Sequence, residues 1–134
     1  MTSGELMAIA VQAREMAYAP YSNFRVGAAL LGKSGKVYTG CNVENASYSP
    51  TNCAERTAVF KAVSEGEREF SAIAIVGGLG DNISDFCAPC GVCRQVLSEF
   101  CDKDFVLVLG SPENYKEYSM SEVFPFSFGK ADLQ

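Results

Sequence analysis

The order of hydrophobic patterns along the chain predicts the α/β class, with a mixed sheet of about five strands covered by helices. Three observations carry that prediction. Segments with helical and strand periodicity alternate through most of the sequence. The run FVLVL at 105–109 is apolar at every position, as in a strand buried on both faces. A Gly32-Lys-Ser-Gly35 turn joins two strand-like segments into a hairpin, which brings antiparallel pairing into the sheet.

Thr2 and Glu5 have capping-box spacing and open a first helix. Its Leu6, Ile9, Ala10, Ala13 and Ala17 follow the spacing of a buried helical face. Pro20 ends this helix and biases Ala19 away from helical backbone. Strands are expected from Phe24 to Leu31 and from Lys36 to Cys41. Residues 42–52 are polar and irregular, a loop rich in groups that can grip a ligand. A second helix runs from about Cys53 to Ser64 and closes at Gly66. Phe70 to Val76 is an apolar run of strand length, followed by a glycine-rich, acidic loop to Phe86. A third helix spans Gly91 to Phe100, with Val92, Val96 and Leu97 on its apolar side. Beyond the 105–109 strand, Tyr115 to Ser119 suits an edge strand, and Ser121 to Phe124 a short helix stopped by Pro125. With 134 residues, no repeat and no linker, residues 1–134 are expected to form one domain.

Bulk properties narrow the function classes. At 48% hydrophobic and 20% charged the composition is that of an ordinary globular protein. No apolar run reaches the ~18 residues of a membrane span, and the start lacks a signal-peptide pattern. A cytoplasmic protein with no membrane partner is the expectation. The net charge of −5, with Lys and Arg scattered, argues against a nucleic-acid partner and for a small uncharged or cationic ligand. In that compartment the six cysteines point to metal binding and reduced thiols rather than a disulfide framework.

The chemistry concentrates in Cys53-Ala54-Glu55 and Pro89-Cys90-Gly91-Val92-Cys93. Cys53, Cys90 and Cys93 can hold one Zn²⁺ per chain and leave its fourth position open to water. The chain has no histidine, so proton transfer falls to another group, and Glu55 is the candidate. Both ligand segments enter helices, whose N-termini favour thiolate over thiol. Alternatives stand beside this reading. Cys41 or Cys87 could close a structural four-sulfur site, and Cys90 and Cys93 could be a redox pair. Glu55 could serve only as the capping-box partner of Asn52. Three thiolates on Zn²⁺ leave a net charge of −1, which opposes ionising a bound water. Arg56 is the candidate to offset it by bonding thiolate sulfur, whereas Arg94 is expected on a solvated helix surface.

Four blocks, YAPYSNFRVGAAL at 18–30, GCNVENASYS at 40–49, CAERTA at 53–58 and PCGVCRQVL at 89–97, resemble cytidine deaminases of the short, homotetrameric type. The likeness covers nearly the whole chain and loosens in the loop 78–87 and after Ser111. It implies a three-layer α/β/α domain. It also implies zinc-dependent hydrolytic deamination of cytidine and 2′-deoxycytidine to uridine and 2′-deoxyuridine, with release of ammonia, in pyrimidine salvage. By resemblance Cys53, Cys90 and Cys93 bind zinc, zinc-bound hydroxide attacks C4, and Glu55 shuttles protons. Arg56 matches the position that bonds the zinc thiolates. Asn42 and Glu44 fall where the family grips the ribose, and Phe24 and Ala54 where it holds the pyrimidine. Tyr48 and Phe128 match residues lent by neighbouring subunits, with Phe124 and Phe126 competing for the latter place. The implied partners are a small-molecule nucleoside and further copies of the chain, as a homotetramer with shared active sites.

Overall fold

A computed structural model of the chain describes residues 1–84 and 86–134; Asp85, within the expected acidic loop, lies outside the described residues. Thr2 caps helix α1, Ser3–Arg14, through the expected box: its hydroxyl accepts from Glu5 N at 3.1 Å, and its own N donates to Glu5 Oε1 at 2.9 Å. Strands β1, Phe24–Gly32, and β2, Val37–Cys41, form the hairpin. Helix α2, Ala54–Ser64, leads to β3, Phe70–Leu79, and helix α3, Gly91–Phe100, leads to β4, Val106–Ser111. Strand β5, Asn114–Ser119, and a short helix α4, Met120–Val123, precede the tail.

The five strands lie in the order β2-β1-β3-β4-β5. Within this sheet β3 and β4 pair in parallel and the other neighbours antiparallel, so the sheet is mixed. Side chains alternate across it with period two. Ala28, Leu30, Ile73, Ile75, Leu107 and Leu109 belong to the core shared with α2 and α3. Ala29, Ala74, Val76 and Val108 belong to the other core, with Leu6, Met7 and Ala10 of α1. Both faces are dry, which is why 105–109 has no polar face. The result is three layers, α/β/α.

Close backbone approach fixes α1 against β1. A β-carbon on Gly27 would lie 2.1 Å from the Ala10 carbonyl oxygen, so only glycine fits there. Arg14, next to this contact, is 3% exposed. Its Nε donates to the Arg25 carbonyl at 2.9 Å, and its Nη2 to the carbonyls of Gly78 at 3.0 Å and of Gly80 and Asn82 at 2.6 Å.

Several expectations need correction. The buried face of α1 is Leu6, Met7, Ala10 and Arg14, while Ile9 and Ala13 are only partly covered, and Ala17 lies beyond the helix, which ends at Arg14 and not at Pro20. Strand β3 runs on to Leu79 because β1 continues to pair with it, Arg25 opposite Gly78 and Phe24 opposite Leu79. Val92 lies on the outer side of α3 and is mostly exposed, leaving Cys93 and Leu97 as that helix's buried residues. Arg94 is not simply solvated: it is partly buried, and its Nε donates to the Pro89 carbonyl at 2.7 Å. Among the described residues, no helix is long and apolar enough to cross a membrane.

Candidate active site

Helices α2 and α3 start on the same side of the sheet, α3 after the carboxyl end of β3 and α2 after the loop that leaves β2. Cys53 and Cys90 are the two N-caps, both in extended backbone, and neither uses its side chain to cap. Their sulfurs stay free and lie 3.7 Å apart. Cys93, fully buried in the first turn of α3, completes a cluster whose sulfurs all lie within 4.8 Å of one another.

This donor set fits zinc. Zn–S bonds of about 2.3 Å in a tetrahedron put sulfurs about 3.8 Å apart, close to the observed spacing. Arg56 Nη2 donates to Cys53 Sγ at 3.2 Å. Its Nε is buried and, among the described residues, has no acceptor, as expected beside a cluster that becomes anionic. The Cys53 thiol is drawn down to about 5, first by the hydrogen bond it accepts from Cys93 and then by Arg56. Cys93, donor in that bond and buried, is pushed well up. Among the described residues no fourth His, Cys, Asp or Glu joins the cluster. The four-sulfur alternative therefore fails: Cys41 and Cys87 stand apart, and an ion held by these three sulfurs would keep a position for solvent or substrate.

Glu55 is 4% exposed and lines a cavity of about 270 Å³ together with Cys53, Cys90 and Phe24. It is not a cap. Cys53 occupies the N-cap, and the Asn52 side chain donates to Thr57 Oγ1 at 3.1 Å. Burial pushes the Glu55 carboxyl up to about 7, with its own backbone N–H opposing and Cys53 adding to the rise. A buried carboxyl beside three sulfurs can hold or pass a proton.

The rest of the wall comes from β1 and the loop after β2. Asn42 accepts from Val26 N at 2.9 Å and donates to the Phe24 carbonyl at 2.8 Å, so its amide braces the rim it lines. The Glu44 carboxylate accepts from Tyr21 N at 3.0 Å, from Ser22 N at 3.1 Å and from the Ser22 hydroxyl. Those bonds, the hydroxyl's first, hold it below the usual carboxylate range. Ser22, Glu44 and Thr51 also border a second recess of about 320 Å³, walled by Tyr21 and Tyr48.

The structure thus gathers Phe24, Asn42, Glu44, Cys53, Ala54, Glu55 and Cys90 at one cavity, with Cys93 and Arg56 behind the sulfurs. Tyr48 stands at the adjoining recess, three-quarters exposed. Phe128 is outside the cavity: its ring is mostly exposed, and its carbonyl accepts from Gln95 Nε2 at 2.9 Å. Phe124 packs on the core, and Phe126 is fully exposed. Residue-level reasoning missed Val26, Thr51 and Cys87 in the wall. Cys87 precedes the second motif by a few residues, a weak signal that could have placed it there. Burial pushes its thiol up to about 12, so it is a neutral part of the wall.

Comparison with known proteins relates the chain to deaminases. A family model described as the cytidine and deoxycytidylate deaminase zinc-binding region matches residues 1–109. The chain is 48% identical over 130 residues to a cytidine deaminase of Sporosarcina psychrophila, covering 96% of this chain and 93% of that one. It is 51% identical over 125 residues to a cytidine deaminase of Halalkalibacterium halodurans, covering 92% of each. The crystal structure of a cytidine deaminase from Burkholderia pseudomallei is similar at a TM-score of 0.87 and 48% identity, over 96% of this chain and 100% of that one.

Proposed function

The chain belongs to the zinc-binding cytidine and deoxycytidylate deaminase family, and from that premise we propose that it hydrolyses cytidine and 2′-deoxycytidine to uridine and 2′-deoxyuridine, releasing ammonia. One observation carries the reading: Glu55, buried, shares a cavity wall with Cys53 and Cys90 of the three-sulfur cluster.

Cys53, Cys90 and Cys93 would hold the zinc, which when bound polarises a water for attack at C4 of the pyrimidine. Glu55 takes a proton from that water and passes it to N3, then delivers the second water proton to the departing amine. Both protons of the water are accounted for, one on N3 and one in ammonia. Arg56 bonds the Cys53 sulfur and offsets the negative charge of three thiolates. Phe24 and Ala54 bound the base, while Asn42 and Glu44 receive the sugar hydroxyls. Glu44 is suited to that role because three local donors hold it ionised.

The family's description covers nucleosides and nucleotides, and the walls favour the nucleoside. The described residues lining the cavity and its adjoining recess include Glu44 and Glu55 but no Lys or Arg. A 5′-phosphate would meet carboxylate without a counter-charge.

The active unit in this reading is a cytoplasmic homotetramer. Free cysteines suit a reducing compartment. Tyr48, Phe60, Val92 and Phe128 are each at least half exposed in the single chain, apolar surface that neighbouring copies would cover. Tyr48 and Phe128 would then complete neighbouring sites. Full activity in a species that light scattering shows to be a monomer would remove this part.

Purified protein offered cytidine, 2′-deoxycytidine, cytosine, cytidine 5′-monophosphate and a cytosine-containing single strand tests the whole reading. Ammonia is expected from the two nucleosides. Turnover confined to the monophosphate or the strand would overturn it.

A further inference from the structure

The three sulfurs of the cluster are fixed by different means. Cys93 is fully buried, and Cys53 is half-buried and bonded by Arg56. Cys90 is exposed, so burial does not hold it. Its position depends on the irregular backbone that leads into α3.

Among the described residues, one side chain bonds to the main chain of 86–90, and it is Arg94. Its Nε donates to the Pro89 carbonyl at 2.7 Å, the peptide directly before Cys90. Nη1 of the same guanidinium donates to the carbonyl of Val123, the last residue of α4. Its backbone N also donates to the Cys90 carbonyl at 2.9 Å. A planar guanidinium presents its donors in a fixed fork, so the two carbonyls it bonds are held in a set relation to each other. The end of α4, itself in the core through Met120 and Val123, becomes the anchor for the ligand loop.

From this geometry we infer that Arg94 is a positioning residue for the metal centre: it sets where the exposed ligand Cys90 stands. The inference rests on the reading of Cys53, Cys90 and Cys93 as zinc ligands. Arg94 acts through the Pro89 peptide and touches neither substrate nor sulfur.

The test uses zinc-loaded wild type, Arg94→Lys and Arg94→Ala. The rate at which a colorimetric chelator strips the zinc is measured, together with the thermal midpoint of each metal-free protein. Lysine keeps the charge and the stem but not the planar fork, so Arg94→Lys is the variant expected to fold normally. Zinc release about 10-fold faster or more is expected for both variants, a magnitude typical of residues that orient metal ligands. The metal-free midpoint of Arg94→Lys should stay near wild type. If Arg94→Ala fails to fold, Arg94→Lys decides alone. Wild-type zinc release in Arg94→Lys overturns the inference, as does a lowered metal-free midpoint with unchanged release, which marks a plain structural brace. A wild type that binds no zinc instead overturns the metal centre itself.

Discussion

Gly40 of β2 and Ala54 of α2 meet backbone to backbone: a β-carbon on Gly40 would lie 2.3 Å from the Ala54 carbonyl oxygen and 2.6 Å from Ala58 N. This contact seats the first turn of α2, which carries Cys53 and Glu55, directly on the sheet. Gly40→Ala must push that turn outward, because the obstructing atoms are backbone and have no rotamer to adopt. Destabilisation of about 1–3 kcal/mol is expected from such overpacking. Zinc binding should weaken with it. Urea unfolding and zinc titration check both, and a variant with unchanged midpoint and affinity would show that the helix start has slack.

Glu55→Gln separates binding from proton transfer. Glutamine has nearly the same shape and leaves the three sulfurs in place, yet it cannot accept and release a proton. Zinc content should stay at one per chain while turnover of cytidine falls by a factor of ~10²–10⁴ or more, the scale of general acid–base catalysis. Metal analysis alongside single-turnover kinetics gives the answer. A rate near wild type would return the proton to some other group.

Arg56 acts on the charge of the site. Its Nη2 lies 3.2 Å from Cys53 Sγ, and removing it leaves three thiolates without their cationic neighbour. A metal held by more electron-rich sulfurs is a weaker Lewis acid. Arg56→Ala should therefore slow deamination by about 10–100-fold with zinc still bound, and Arg56→Lys should recover part of the loss by restoring charge. Equal losses in both variants would point to the shape of the fork rather than its charge.

The contrast between what was and was not legible in the sequence has a physical basis. Metal-ligand chemistry is written in residue type and local spacing, so Cys53, Cys90 and Cys93 group together in the sequence itself. Helix α3 runs from Gly91 to Phe100, the bounds its sequence predicts. Local signals failed where distant partners decide. Gly77 and Gly78 read as loop, yet pairing with Val26 and Arg25 keeps them in β3. Glu55 was ambiguous because residues two apart diverge within a helix. The N-cap backbone of Cys53 resolves this by turning its thiol toward the wall that Glu55 also lines. Arg94 reads as solvated because its acceptors are two carbonyls, one of them on α4, which residue type does not show.

Arg14 is the most complete case of a residue whose role depends on distant chain. Though charged and in the last turn of α1, it is buried among carbonyls of β1 and of residues 78–82. Those carbonyls would otherwise be polar groups under a helix, and each costs stability if left without a donor. Arg14→Met keeps much of the volume and apolar stem while removing every donor. The expected loss is about 1.5–3 kcal/mol, the range for a hydrogen bond to a charged group. Arg14→Lys should recover little, because one ammonium cannot reach all the carbonyls that Nε and Nη2 reach along the edge of the planar guanidinium. Denaturant unfolding of the metal-free protein measures this apart from the zinc site. A methionine variant as stable as wild type would mean that water satisfies those carbonyls, and that the 78–82 turn holds its shape without Arg14.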